Sequence, residues 1–149
     1  MAKLKKQHMT IHWKAIVQDD SSIPATEATL KEKATLVGRI GLMMLSVGTG
    51  AWRVRNSMNK VARCLGITCT ADIGLLAISY TCIEGTDTYT QSISLPTTGV
   101  NTHKLMELEL FMKEFPDKVS TCSVKHIHEV LDEIQKFPAN YKAWNLGLA

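Results

Sequence analysis

The segment from Gly50 to Gly66 has the pattern of a helix with one buried side. Val54, Met58, Val61 and Leu65 recur at i, i+4, i+7 and i+11, which is the apolar stripe of a helix that faces a core. Arg53, Arg55, Lys60 and Arg63 lie off that stripe, and no acidic residue occurs between Gly48 and Ala71. Gly66 supplies the stop, because glycine takes the left-handed conformation after a helix without steric cost. Gly48-Thr49-Gly50 breaks the chain ahead of it. A helix that starts after such a break and carries two early arginines adds side-chain charge to its dipole, so an anion is favoured there.

The rest of the chain arranges itself around that helix. Thr26 or Thr29 caps a preceding helix through Leu30, Ala34, Val37, Gly41 and Met44. Within it, Gly38 and Gly41 mark either the close approach of another backbone or simply tolerated glycines. From Thr68 to Leu95 the period changes to that of strands, punctuated at Gly74 and at Glu84-Gly85-Thr86-Asp87. Leu76, Ile78, Tyr80 and Cys82 alternate onto one face, as do Tyr89, Gln91, Ile93 and Leu95 in the next strand. The opposite face carries Ser79 and Thr81, then Thr86, Thr88, Thr90, Ser92 and Ser94. A solvated outer face is the default for such a set, and a hydroxyl-lined ligand surface is the alternative.

After Pro96-Thr97-Thr98-Gly99, Asn101 or Thr102 caps a third helix with Leu105, Leu108, Met112 and Phe115 inside, and Pro116 ends it. Ser120 or Ser123 opens a fourth, with Val124, Ile127, Leu131 and Ile134 buried and Asp132 and Glu133 outside, closed at Pro138. Two helices, a small mainly antiparallel sheet of about three strands, then two helices make an α+β domain, with the helices packed on one face of the sheet.

A chain of 149 residues, 45% hydrophobic, builds one core and is too short for two. Residues 1–25 read as a loosely ordered arm that docks through Ile11, Trp13, Ile16 and Val17, residues 26–140 as the single domain, and 141–149 as a tail. The net charge of +3 falls well short of a nucleic-acid-binding signature. Cys64, Cys69, Cys82 and Cys122 have no zinc-like spacing and read as buried reduced thiols. His126 and His128, two apart, point to different helix faces, and His103 reads as a capping or surface residue; no metal and no cofactor is expected. The apolar run Ile40 to Val47 is too short to span a membrane. The basic start at Lys3, Lys5 and Lys6 lacks the apolar segment of a signal peptide, so a cytoplasmic location is expected.

Gly48, Ala51, Trp52, Arg53, Val54, Met58, Ala62, Leu65 and Gly66, together with Gly99-Val100-Asn101 before Lys104-Leu105, carry a resemblance. They resemble the N-terminal soluble domain of the threonine/serine exporter (ThrE-like) family, from about Leu30 to the C-terminus. The chain departs from that pattern at Arg55, where many relatives have an acid, at Thr49-Gly50, where they have a carboxylate, and around Ile93 and Ser94, where they carry a basic residue. The resemblance implies a domain on the cytoplasmic side of the membrane, working with a membrane-embedded half in the same or a neighbouring chain. Tyr141-Lys142-Ala143-Trp144, followed by small apolar residues, is where the first membrane helix would begin, an aromatic and basic start suited to a membrane interface.

Thr49, Arg53, Arg55, Asp72 and Asn101 are the candidate ligand or anion site, with a small amino acid as the ligand the resemblance implies. The expected role is interaction, gating or substrate sensing. The alternative is a stand-alone hydrolase or ligand-binding domain, in which Asp72, Thr49 or Ser79 would be the reacting groups and Arg53 the anion clamp. The chain has no GxSxG, HExxH or Walker motif. A scaffold that self-associates through the basic helix is the third reading.

Overall fold

The computed structural model describes residues 23–95 and 102–136. A short 3-10 turn, Ala25–Glu27, leads into α1 (Leu30–Ser46), α2 (Ala51–Cys64), β1 (Thr68–Ile73), β2 (Ala77–Glu84), β3 (Asp87–Ser94), α3 (Thr102–Lys118) and α4 (Val124–Gln135). The three strands form one antiparallel sheet in the order β1-β2-β3. The α+β expectation therefore holds, and the layering is more specific. Among the described residues the main packing on the sheet comes from α1, over β2 and β3, and α2, over β1, while α3 packs on α2 and α4 on α1 and α3.

Of the two candidate caps for α1, Thr29 is the one used. Its hydroxyl accepts from the Glu32 amide at 3.3 Å and donates to Glu32 Oε1 at 3.0 Å. For α4 it is Ser123, accepting from the His126 amide at 3.1 Å. In both, a side-chain oxygen serves an amide that has no partner within the first turn.

α1 is buried on every side from Glu32 to Leu45, sandwiched between the sheet, α2 and α4. Ala34 and Gly38 face Tyr80 of β2, whose hydroxyl oxygen lies 2.7 Å from the Ala34 carbonyl and 2.8 Å from Gln91 Oε1. Gly41 faces Met58 of α2. Both glycines thus admit close neighbours, but these are side chains rather than a second backbone. Two cations lie inside as well. Lys33 pairs with Glu84 of β2 at 2.5 Å. Arg39 donates from Nη1 to His128 Nδ1 at 2.9 Å and from Nη2 to Asp132 at 2.5 Å and Gln135 at 2.7 Å. Burial pushes the Arg39 guanidinium below its ordinary pKa, and the hydrogen bond and charge of Asp132 oppose this.

Two expectations are corrected here. Asp132 is drawn inward by Arg39 instead of lying outside α4. Pro116 does not end α3, which runs on to Lys118. The Val119 amide bonds the Phe115 carbonyl at 3.0 Å and Val119 is buried, so packing beyond the proline offsets the helix bond that it lacks.

The buried stripe of α2 is as the spacing requires, with Val54, Met58, Val61 and Leu65 all fully or nearly buried and Gly66 at φ 78°. In the sheet, Ile78, Tyr80, Cys82 and Ile93 face the helices, and Ser79, Thr88, Thr90 and Ser92 face solvent. Thr86 belongs to the turn after Gly85 rather than to that face. Cys69 and Cys82 are buried and directly opposite, and all four cysteines are free thiols. The hydrogen bond with Cys69, and then burial, hold the Cys82 thiol far above its usual value.

Ala25 is fully buried and its amide donates to the Cys122 carbonyl at 2.8 Å, which ties the chain just before α1 to the start of α4. Residues 1–22, expected to form a loosely ordered arm, the cap candidate Asn101, Pro138 and residues 141–149, expected to form a tail, lie outside the described residues.

Gly38→Ala pits helix propensity against packing. Alanine favours a helix by about 1 kcal/mol over glycine, but the new Cβ would sit 2.1 Å from the Tyr80 hydroxyl oxygen. Overpacking of about 1–3 kcal/mol and a disturbed buried hydrogen bond of about 1 kcal/mol outweigh the gain. Urea denaturation is expected to show a net loss of about 2 kcal/mol, and a gain would refute the contact.

Tyr80 predicts a dependence on alkaline pH. Burial, then the charges that Cys82, Tyr89 and Cys69 would carry, raise its pKa far above the ordinary value of 10.0. The unfolded chain loses that proton near pH 10 and the folded one does not, so this contribution is full below pH 10 and is lost as pH rises beyond it. Stability should fall with pH there, and Tyr80→Phe should flatten the slope.

Candidate functional site

The polar stripe beside the buried face of α2 meets α3 across an open cleft of about 330 Å³. Arg53, Asn56, Ser57 and Lys60 stand at i, i+3, i+4 and i+7, which stacks them along one wall. Glu109, Met112 and Lys113 do the same on α3, and Met44 at the end of α1 completes the lining. Met44 and Met112 are buried, so the cleft has an apolar floor beneath polar walls. Three cations face one carboxylate, which leaves the walls net positive.

Arg53 pairs with Glu109 across this cleft, with the two side chains 48% and 45% exposed. A pair so open to water contributes only about 0–1 kcal/mol. Its partners can therefore turn to a ligand at little cost to the fold. A zwitterion fits such an arrangement, with an anionic group on Arg53, Lys60 or Lys113 and a cationic one on Glu109.

The other sequence-derived candidates lie elsewhere. Thr49 closes α1: its hydroxyl donates to the Met44 carbonyl at 2.8 Å and its amide approaches the same oxygen at 3.4 Å. Gly50 is the N-cap of α2 and has no side chain to offer. Arg55 lies about 200° round α2 from Arg53 and reaches β1, where its Nε donates to the Ala71 carbonyl at 3.3 Å. Asp72 stands on the open face of the sheet, opposite Ser79, whose hydroxyl lies 3.0 Å from that of Ser92. Asn101 lies outside the described residues. Of the five, the cleft holds Arg53.

Glu109, Lys113, Asn56 and Ser57 were not singled out from sequence. A signal existed for the α2 wall, because polar residues repeat at helical spacing next to the apolar stripe. Nothing in the spacing showed that this wall would face α3.

A family model described as "Putative threonine/serine exporter" (ThrE) matches residues 35–149, which takes in the whole sheet, α2, α3 and α4. No curated protein and no solved structure matches the chain. Among the described residues no helix is long and apolar enough to cross a membrane.

The weakness of the Arg53–Glu109 pair is directly measurable. A double-mutant cycle with Arg53→Ala and Glu109→Ala, read by chemical denaturation, should give a coupling of at most about 1 kcal/mol. A larger coupling would mean that the pair is committed to the fold and not available to a ligand.

Proposed function

The chain belongs to the threonine/serine exporter family, and on that premise we propose that the α2–α3 cleft receives a small hydroxy amino acid and reports its presence to the membrane-embedded half of the exporter. The reading rests on one observation, the meeting of Arg53, Lys60 and Lys113 with the single carboxylate Glu109 in one small cleft. The ligand carboxylate takes Arg53 and a lysine, its ammonium takes Glu109, and its hydroxyl finds Asn56 or Ser57. The apolar floor of Met44 and Met112 accepts the short carbon chain. The cleft lies at the small end of the usual range for ligand sites, about 300–1,000 Å³, which suits a molecule of this size.

In this scheme the domain sits on the cytoplasmic side of the membrane and acts by sensing or gating, while transport takes place in the membrane-embedded half. Replacing the Arg53–Glu109 pair by a bound zwitterion changes what holds α3 against α2. Through α4, which packs on both α1 and α3, that change reaches the rest of the helical layers.

A thermal-shift series with threonine, serine, other amino acids and simple anions tests the reading. A ligand that binds only the folded state stabilises it by about 2.7 kcal/mol at a hundredfold excess over Kd. Threonine or serine should raise Tm selectively, and Arg53→Ala should abolish the rise while changing the stability of the free protein by no more than about 1 kcal/mol. Absence of any shift would overturn the proposal. Unchanged binding in Arg53→Ala together with a large fall in Tm would assign the arginine to the fold.

A further inference from the structure

The two edges of the sheet are finished differently. The Leu95 amide donates to the Leu76 carbonyl at 2.7 Å. In an antiparallel ladder the bonded pairs alternate, so Ile78–Ile93, Tyr80–Gln91 and Cys82–Tyr89 carry the β2–β3 bonds. The backbone groups of Thr88, Thr90 and Ser92 therefore point away from β2, along the free edge. The same alternation on the other side starts from the Gly74 amide, which donates to Ala77 at 2.7 Å. It turns the backbone groups of Ala71 outward on β1, and there Arg55 donates to the Ala71 carbonyl. α2, which carries Arg55, packs on β1, so one outward group of that edge has a side-chain partner.

Among the described residues no such device protects β3. The strand runs for eight residues, Asp87–Ser94, in unbroken register with β2, and contains neither lysine, proline nor bulge. Among the described residues, no backbone group of Thr88, Thr90 or Ser92 finds a partner on the open side. Natural proteins blunt a long flat edge unless something pairs with it.

We propose that β3 is a homodimer edge, pairing antiparallel with β3 of a second copy to join the two sheets. The strand is self-complementary for this. With a two-fold axis at Thr90, Thr90 faces the second copy's Thr90 and Thr88 faces its Ser92, all of them residues whose backbone groups point outward. Their shared parity keeps the helices of both copies on the same side of the joined sheet. The exposed row Thr70–Thr81–Thr90, in which the Thr81 and Thr90 hydroxyls lie 2.8 Å apart, then continues across the axis. The charge at Asp87 does not oppose this, because the two copies of that residue lie about 20 Å apart along the paired strands. A two-fold axis makes the contact closed and limited to two copies.

The test is the mass of the full chain, by sedimentation equilibrium from micromolar concentration upward, with Thr90→Pro as the variant. Proline at 90 removes an amide that points to the free edge and spares the bonds to β2. Wild type should approach twice the monomer mass, and Thr90→Pro should remain monomeric with an unchanged near-ultraviolet circular dichroism spectrum. Should the variant fail to fold, amide exchange of the wild type decides: the Thr88, Thr90 and Ser92 amides should become protected as concentration rises, while Tyr89 and Gln91 stay protected throughout. A wild type that is monomeric at every concentration, a folded Thr90→Pro that still dimerises, or protection of the outward amides that ignores concentration would each overturn the proposal. The last result would mean that something other than a second copy covers the edge. None of these readings depends on an amino acid binding in the cleft.

Discussion

A helix buried from Glu32 to Leu45 on all its faces sets the terms for everything packed around it. α1 has no solvated side there on which to place a cation, so Lys33 and Arg39 each take a partner from another element. Lys33 is answered by Glu84 of β2, and Arg39 by His128, Asp132 and Gln135 of α4. Those two demands point in different directions and locate the sheet and α4 on different sides of the helix. In each pair the cation is buried while its carboxylate keeps about a third of its surface in water, so losing the carboxylate costs more than losing a surface pair, about 0–1 kcal/mol, and less than breaking a fully buried one, about 3–5 kcal/mol. The arrangement is thus specified by charge as well as by volume.

The small residues of α1 then set distances. Gly38 lets Tyr80 reach the Ala34 carbonyl, and Gly41 lets Met58 sit against the helix. Sheet and α2 can both come close, and α2 is left with its apolar stripe against α1 and β1 and its polar stripe turned toward α3. The cleft at Arg53, Lys60 and Glu109 follows from that rotation. It lies at the margin of the core, where the Arg53–Glu109 pair is exposed enough to be redirected. Burial gives the Arg39 network its rigidity, and exposure gives the Arg53 pair its availability.

Much of this was legible residue by residue. The stripe of Val54, Met58, Val61 and Leu65, the strand alternation from Leu76 to Leu95, and the capping hydroxyls followed from local rules of period and turn chemistry. Pro116 misled because its local penalty was outweighed by the burial of Val119 beyond it. Asp132 misled because its partner lies 93 residues away on another helix. Glu109 escaped notice for the same reason, its partner Arg53 being 56 residues distant. Of the glycines, Gly66 was readable from its place after a helix, whereas the neighbours of Gly38 and Gly41 could only be seen once the sheet was in place.

By itself, the sequence determined which segments are helix and which are strand, which face of each is apolar, and that the order of elements makes an α+β domain, because periodicity and capping are properties of neighbouring residues. It also carried enough of the pattern around Arg53 to suggest the family. Only the tertiary structure decided which polar stripe meets which, sending Arg53 to α3 and Arg55 to β1, placing Thr49 at the end of α1, and turning the backbone groups of Thr88, Thr90 and Ser92 away from β2. Those outcomes depend on how α2 rotates against α1 and on which residues face outward in the ladder, and both are settled by close packing between residues far apart in the chain.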